Sequence, residues 1–482
     1  MLKNLFATKP VQDMIAASEA SGLKRSLGPA ALIAIGVGGI IGTGIFVLTG
    51  VAAANHAGPA IVLAFILAGI GCVFAGLCYA EFASMIPVSG SAYAYSYATM
   101  GEFIAWFIGW NLILEYLFAS ATVAVGWSRY LVKLLDALHI NFLPERLTNA
   151  PIDHVAGQGF TLTGAIVNLP AVFVIAVVTS ILLVGIRQSS FVNAVVVAIK
   201  VGIVVLVIGF GAFYVTPDYW HPFIPENTGT WGEFGWSGIL RAAGIIFFAY
   251  IGFDAVSTAA QEAKDPQRNV PIGILGSLIV CTVLYVAMSA VLTGMLPYLK
   301  LNDAAPVAAA LEAHPSLLWL SIPVILGAVA GLTSVILVMM LAQSRIFYSM
   351  SRDGLLPPAF RAIHPTYQTP VFSTVLTGLG AGLIGGLFPI TVLGELVSIG
   401  TLAAFITVCL GVLVLRHTRP DLERPFKVPA PWFVSLGGTF FCGAMALGLP
   451  GDTWFRLLIW TLIGFTVYFL YGYRHSTLRN KQ

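Results

Sequence analysis

IGVGGIIGTGIF, residues 35–46, places five glycines within nine residues near the middle of an apolar stretch. Each glycine costs roughly 1 kcal/mol relative to alanine inside a helix. Close helix packing through small residues four positions apart, as at Gly38 and Gly42, would explain glycines on one helix face. These five glycines point all around the helix, so the sequence predicts that the backbone unwinds here.

The composition around this stretch is that of a chain embedded in lipid. Of the 482 residues, 58% are hydrophobic and 9% are charged, whereas about 25% are charged in a soluble protein. A helix of about 20 apolar residues crosses a bilayer, so the sequence predicts an all-α integral membrane protein with about 12 transmembrane helices. These stretches, named segments 1 to 12, cover residues 29–54, 58–84, 101–135, 164–186, 190–215, 238–261, 271–296, 316–347, 370–388, 391–415, 430–449 and 453–473.

Several classes of function find no support in the sequence. A net charge of +3 and the lack of a basic patch interleaved with aromatic residues exclude nucleic-acid binding. The five cysteines fall in apolar stretches, which indicates buried thiols rather than disulfides. The eight histidines lie outside the middle of the apolar runs, so we expect no metal site and no bound cofactor. An enzyme within the membrane would need clustered His, Asp or Glu near one interface, and the sequence has no such cluster.

The distribution of positive charges predicts the orientation in the membrane. With the N-terminus inside, 17 of the 24 Lys and Arg residues fall on the cytoplasmic side, six fall outside, and Lys200 lies within segment 5. We therefore expect a multi-pass protein of the plasma (inner) membrane, with residues 1–28 and the tail 474–482 both cytoplasmic.

The spacing of the segments indicates an internal duplication. Segments 1 to 5 and 6 to 10 form two blocks of similar length, residues 29–215 and 238–416. Five helices per block make the second block enter the membrane from the opposite side, which is the inverted repeat of many secondary transporters. Segments 11 and 12, residues 430–473, are predicted to be an addition to this 5+5 arrangement.

The break in segment 1 predicts a binding site, because unwound backbone is tolerated in a membrane where it lines a cavity. The amides of Gly42, Thr43 and Gly44 would lie at the positive N-terminal end of the outer half-helix, where they suit a carboxylate. The freed carbonyls of Ile40 and Ile41 suit an ammonium group or a small cation.

Segment 6 is the counterpart of segment 1 in the second block, and residues 244–254 read GIIFFAYIGFD. Gly252 and Asp254 predict a second break, with Asp254 capping the half-helix that follows. Alternatively, the helix continues as a packed aromatic face and Asp254 bonds to a neighbouring helix. Two broken helices at matched positions predict a site for a zwitterion such as an α-amino acid.

Two ionisable residues lie within predicted segments. Lys200 has no opposite charge within a helical turn. Such a residue is expected to be functional: it couples proton flow to transport, or it takes the place of a bound sodium ion. Alternatively, it pairs with a carboxylate such as Glu115. Glu115, in segment 3, either accepts from the freed amides or a substrate amine, or holds helices together. Met339, in segment 8, is expected to line a pocket for the substrate side chain.

Three motifs carry a family resemblance: GIIGTGIF at 39–46, FAYIGFDAVS at 248–257 and DPQRNVP at 265–271. Together they resemble the amino acid–polyamine–organocation superfamily, and most of all its cationic amino acid transporter branch in a short bacterial form. The resemblance extends from about residue 25 to about residue 475. It implies the 5+5 inverted-repeat fold with two extra helices, and amino-acid uptake coupled to protons.

The resemblance also implies roles for individual residues. The carboxylate would bind at Thr43 and Gly44, and the amine at the carbonyls of Ile40, Phe248 and Ile251. The full set expected to bind substrate is Ile40, Ile41, Gly42, Thr43, Gly44, Glu115, Phe248, Ala249, Ile251 and Met339. The set expected to couple proton movement, on the pattern of a fifth-helix lysine that replaces a sodium ion, is Lys200 with Gly38, Ile41, Thr333 and Ser334.

The sequence thus predicts a secondary active transporter that takes up amino acids by proton-coupled symport and alternating access. The alternative is an exchanger on the same fold. The expected partners are an amino acid and membrane lipids, with the proton gradient as driving force; the sequence does not indicate whether the protein has a protein partner. The predicted side-chain pocket has no acidic residue, which favours small or neutral substrates.

Overall fold

A computed structural model describes residues 5–12, 14, 26–88, 90–140, 142–155, 159–185, 190–365 and 369–479. The terminal segments predicted at 1–28 and 474–482 are therefore described only in part. The positively charged residues that were used to predict the orientation and lie outside the described residues are Lys3, Lys24, Arg25, Arg187 and Lys481. The orientation itself stays a prediction.

Each of the twelve predicted segments contains at least one apolar helix. Segments 1 to 6 contain the helices Pro29–Ile40 with Thr49–Ala52, Ile61–Met85, Glu102–Ala137, Leu169–Val184, Ser190–Gly211, and Gly235–Ile246 with Asp254–Thr258. Segments 7 to 12 contain Pro266–Met295, Leu318–Arg352, Val371–Leu387, Ile390–Thr418, Pro431–Gly448 and Gly451–Val467. In the described part of the chain, nine helices are long and apolar enough to cross a membrane, and three shorter apolar helices accompany them. A multi-span helical membrane fold is confirmed, whereas the exact number of crossings stays a prediction.

Three short elements between the segments were not predicted. The helices Ser91–Thr99 and Pro306–Glu312 follow segments 2 and 7. A small antiparallel hairpin pairs strand β1, Ile152–Val155, with strand β2, Gly159–Leu162. The hairpin lies in the loop between segments 3 and 4 and was not predicted, because four-residue strands are too short to give a recognisable alternation of apolar and polar residues.

Segment 3 forms the central helix of the bundle and packs on segments 8, 9 and 10. Segment 2 packs on segment 7, and segment 1 packs on segments 7 and 8. Segments 11 and 12 lie at the rim, where large apolar side chains such as Phe440 and Leu470 are exposed. Such a surface is the one that lipid would cover.

The carboxylate of Glu102 is fully buried at the start of segment 3 and gathers four donors. The hydroxyls of Tyr97 and Tyr468 donate to it over 2.9 Å, and the Arg479 guanidinium donates over 2.6 Å. Ser476 donates the fourth hydrogen bond. We call these five residues the Glu102 cluster; it fixes the C-terminal tail to the bundle.

Asp353, at the end of segment 8, holds both terminal segments. Its carboxylate accepts Lys9 Nζ at 2.6 Å and the Tyr93 hydroxyl at 2.8 Å, and its carbonyl accepts the Thr477 amide at 3.0 Å. The amide of Glu102 also donates to the Ala7 carbonyl. Both termini therefore lie at one end of the bundle, named the terminal end. The opposite end carries β1 and β2 and is named the hairpin end.

Replacing Arg479 by alanine is expected to lower the stability of the protein by about 3 kcal/mol, because a buried carboxylate then loses its cation. Arg479 and Glu102 have side chains that are 11% and 0% exposed. The measurement is thermal unfolding of the purified protein in detergent. Arg474→Ala is the matched control, since Arg474 is exposed in the same tail. Equal melting temperatures for the two variants would contradict a stabilising role of the cluster.

Candidate functional site

Segment 1 is interrupted in its middle, as predicted. Its first helix ends at Ile40, and Ile41 has extended backbone angles of φ −70° and ψ 98°. Helical turns resume with the wide turn Gly44–Leu48 and the helix Thr49–Ala52. Among the described residues, none accepts a hydrogen bond from the amides of Gly42, Thr43 and Gly44. These donors are therefore available to an anionic group.

Segment 6 is interrupted at the matching depth. Its first helix tightens into the 3-10 turn Phe247–Tyr250, Ile251 is extended, and a helix resumes at Asp254. Gly252 has φ +119°, a conformation that residues with a Cβ rarely adopt. This requirement explains why glycine stands at the break.

Asp254 is the first residue of the second half-helix, and its carboxylate interacts with the backbone amides of Gly252, Asp254 and Ala255 at the start of that half-helix. Its carboxylate accepts a hydrogen bond from the Tyr116 hydroxyl of segment 3. The predicted capping role stays a prediction, since the carboxylate meets both these amides and a partner on another helix. The alternative contact with a neighbouring helix occurs together with the break rather than in place of it.

The two breaks touch each other through glycines. A Cβ on Gly252 would lie 2.7 Å from the carbonyl carbon of Gly39, and a Cβ on Gly44 would overlap the backbone and methyl group of Ala249. The Tyr285 hydroxyl of segment 7 lies 2.8 Å from the Ile40 oxygen and 3.0 Å from the Ala249 oxygen. Tyr285 thus joins the freed carbonyls of both segments, a role that nothing in the sequence around it indicates.

A narrow cavity lies between the breaks and the faces of segments 3 and 8. Its free volume of about 10 Å³ holds about one water molecule, so a substrate requires the surrounding helices to separate. Six of the residues predicted to bind substrate line it: Ile40, Gly42, Thr43, Phe248, Ile251 and Met339. The rest of the wall consists of Gly39, Ala119, Val123 and Val335. The Thr43 hydroxyl is buried here and has no hydrogen-bond partner among the described residues.

The other four predicted substrate residues lie beside the cavity. Gly44 and Ala249 face each other at the contact between segments 1 and 6. Ile41 continues the break next to Ile40 and is fully buried. Glu115 lies one helical turn from Ala119, on the side of the terminal end. Sequence reasoning therefore identified most of the cavity, and it missed the small apolar residues that close it.

Two buried carboxyl groups, those of Glu115 and Asp254, lie next to the cavity. Glu115 and Asp254 are each 1% exposed and interact electrostatically with each other. Among the described residues, Glu115 Oε1, Asp254 Oδ1 and the Tyr79 hydroxyl have no hydrogen-bond partner, and no cation forms an ion pair with either carboxyl. When two carboxyl groups interact in this way, proton binding by one depends on whether the other is already protonated. The sequence indicated each carboxyl separately but not their proximity.

Lys200 is fully buried behind segment 1. Its Nζ donates to the Gly38 carbonyl at 2.7 Å, as the predicted grouping requires. Gly331 of segment 8 lies against its aliphatic stem, since a Cβ there would fall 3.0 Å from Lys200 Cγ. Lys200 forms no ion pair with any described carboxylate, so the alternative pairing with Glu115 is wrong.

The two hydroxyls predicted to accompany Lys200 have other partners. Thr333 donates to the Val329 carbonyl at 2.8 Å and accepts from Trp127 Nε1 at 2.9 Å. Ser334 donates to the Gly331 carbonyl at 2.9 Å. Both lie within a turn of Gly331 on segment 8. Lys200 therefore contacts Gly38 directly, whereas the roles of Ile41, Thr333 and Ser334 stay predictions.

Comparisons of the sequence with a family model and with known proteins agree on one family. A family model described as amino acid permease matches residues 27–468. A protein of Bacillus subtilis (strain 168) named methylthioribose transporter is 44% identical over 477 residues, which cover 99% of this chain and 100% of the relative. Branched-chain amino acid permease BcaP of the same organism is 44% identical over 480 residues, covering 99% of this chain and 100% of the relative.

A plant relative is similar over part of its length. Cationic amino acid transporter 4, vacuolar, of Arabidopsis thaliana is 38% identical over 400 residues, which cover 83% of this chain and 64% of the relative. The match supports the branch that the motifs at residues 39–46 and 248–257 indicate.

Proposed function

Because the chain belongs to the amino acid permease family within the amino acid–polyamine–organocation superfamily, we propose that it takes up neutral aliphatic amino acids together with protons. It is an amino acid transporter of the plasma membrane and not an enzyme. The observation that carries the proposal is the cavity at the two breaks, which has free amide donors on one side and an apolar wall on the other.

The backbone of the breaks suits the polar end of an amino acid. The amides of Gly42, Thr43 and Gly44 stand at the start of a half-helix, where backbone donors and the helix dipole favour a carboxylate. Ile251 lines the cavity, where its carbonyl would accept the ammonium group, and the Ile40 carbonyl retains a second lone pair beside its bond to Tyr285.

The wall of the cavity supports a neutral side chain. Ala119, Val123, Val335 and Met339 present small or flexible apolar groups. A cationic side chain would lose its hydration here without gaining a carboxylate partner, which is costly within a membrane. The name branched-chain amino acid permease, carried by a relative that is 44% identical, agrees with this choice.

Proton coupling is proposed for Lys200. It is buried without a carboxylate partner and its ammonium group contacts segment 1 just before the break. A change in its protonation would therefore alter the contact between segments 5 and 1. The carboxyl pair Glu115 and Asp254 is a second place where a proton can be held beneath the substrate.

Alternating access is proposed to follow the inverted repeat. Segment 1 meets segment 6, segment 2 packs on segment 7, and segment 3 packs on segment 8, so helices five positions apart are paired. We infer from the distribution of positive charges that the terminal end faces the cytoplasm and the hairpin end faces outward.

Proteoliposome uptake tests this function. With an inward proton gradient, we expect labelled leucine and valine to accumulate and arginine to stay at background, because the cavity lacks a carboxylate for a cationic side chain. A protonophore should remove the accumulation. Uptake that ignores the gradient but requires amino acid inside the vesicles would instead establish the exchanger. Competition by methylthioribose with none by amino acids would contradict the proposed substrate class.

A further inference from the structure

A second and larger cavity opens at the hairpin end. Its volume is about 500 Å³, and it lies between segment 3, residues from Glu145 to Asp153 and from Thr163 to Asn168, and the start of the segment 10 helix at Ile390. Charges of both signs line it, including Arg129, Arg146 and Asp153. It is therefore large enough for an amino acid and carries groups for both of its charged ends.

Arg129 of segment 3 is a partly buried cation that lines this cavity. Its guanidinium forms no hydrogen bond or ion pair with any residue in the described part of the chain, although the side chain is partly buried. Two other cations at the hairpin end form ion pairs: Lys133 lies 2.7 Å from Glu312, and Arg456 lies 3.6 Å from Glu395. Removing a guanidinium from water is unfavourable unless an anion accompanies it.

Asp153 supplies the opposite charge within the same cavity. Asp303, which does not line the cavity, has the larger electrostatic interaction with Arg129, and Asp153 has the second; neither forms an ion pair with it. One of the Asp153 carboxylate oxygens accepts the His154 amide at 2.8 Å, and the other oxygen has no partner among the described residues. A zwitterion placed between Arg129 and Asp153 would meet a complementary charge at each end.

Segment 3 lines both the hairpin-end cavity and the central cavity between the two breaks, and the hairpin-end cavity lies further toward the hairpin end. Val123 lines the central cavity, and Arg129 follows six residues later, about 9 Å further along the helix axis. Next to Arg129, the Tyr130 hydroxyl donates to the Phe46 carbonyl at 2.9 Å, and the two rings pack edge to face; we call this contact the Phe46–Tyr130 layer. Tyr130 is 0% exposed and Phe46 is 1% exposed.

We propose that the hairpin-end cavity is a second amino-acid site, in which Arg129 binds the substrate carboxylate and Asp153 binds its ammonium group before the substrate passes the Phe46–Tyr130 layer. A guanidinium and a carboxylate form two parallel, charge-assisted hydrogen bonds. The inference rests on the proposed function, since it takes an amino acid as the substrate and the hairpin end as the outer face.

The test uses leucine as the probe and leucinamide, which lacks the carboxylate, as the comparison. In the purified Gly44→Leu protein, where the central site is blocked, equilibrium binding should retain a weak and saturable leucine component. Leucinamide should show no such component. Adding Arg129→Gln should weaken the residual leucine binding at least about tenfold, which corresponds to the loss of one charge-assisted contact. Lys300→Gln is the control, because it removes one exposed positive charge from the same end.

The wild-type background provides an independent measurement. In protein that keeps Gly44, the binding curve for leucine should have two components, and Arg129→Gln should remove the weaker component and leave the tighter one unchanged. A wild-type binding curve with one component, or residual binding that ignores Arg129→Gln, would overturn the second site while leaving the central site intact. Wild-type protein that binds no leucine would overturn both this inference and the proposed substrate class.

Discussion

Substitution of Gly44 by leucine is expected to reduce uptake to background and to weaken substrate binding by at least about 100-fold, because overpacking at this contact displaces the binding amides. Gly44 lies where segments 1 and 6 come closest. A Cβ at this position would overlap the backbone of Ala249, and a leucine adds three further carbons. The segments must therefore separate, and the amides of Gly42, Thr43 and Gly44 no longer converge with the segment 6 carbonyls.

The measurement is binding and uptake of labelled leucine, with thermal unfolding recorded for the same samples. Gly443→Leu is the matched control. It makes the same change within segment 11, where a Cβ would meet no atom within 4 Å, so its uptake should equal that of the wild type. Unchanged leucine affinity in a folded Gly44→Leu protein would contradict the carboxylate site at this break.

Substitution of Lys200 by alanine is expected to abolish accumulation against a gradient while exchange of labelled for unlabelled substrate continues. The ammonium group bonds to the Gly38 carbonyl at 2.7 Å, so it joins segment 5 to segment 1 two residues before the helix ends. Without a group that binds and releases a proton there, the step that uses the proton gradient is lost. The binding amides lie on the other side of the break and remain in place.

Accumulation in proteoliposomes and counterflow at several pH values distinguish these two activities. Lys133→Ala serves as the control, since it removes a lysine that pairs with Glu312 at the hairpin end, away from both breaks. Its accumulation should match that of the wild type. Wild-type accumulation and pH dependence in Lys200→Ala would show that the proton is held elsewhere, with Glu115 and Asp254 as the next residues to replace.

The breaks could be predicted because their cause is local. Glycine lowers the stability of a helix wherever it occurs, so five glycines around Ile40 indicate a break without reference to any other segment, and Gly252 stands at the one position of segment 6 with a positive φ. The twelve apolar segments were predictable for the same reason, since length and hydropathy are properties of a continuous stretch. The short hairpin at residues 152–162 had no comparable local signal.

The contacts between segments could not be predicted in the same way. The sequence predicts that Asp254 caps a helix, whereas Tyr116, which donates a hydrogen bond to its carboxylate, lies 138 residues away in the chain. Glu115 and Asp254 meet only because segment 3 passes beside the break of segment 6. Tyr285 joins two carbonyls from different blocks of the chain. Each of these pairings depends on the packing of helices that are distant in sequence.

The Glu102 cluster has a consequence for engineering the protein. Ser476, Thr477 and Arg479 all bond to the terminal end, so the last described residues are part of the folded bundle. Shortening the chain to His475 would strip two donors from a buried carboxylate, and a purification tag joined there would be placed against it. A fluorescent reporter or an affinity handle is therefore best attached beyond residue 482 through a flexible linker, where the tail can keep its contacts.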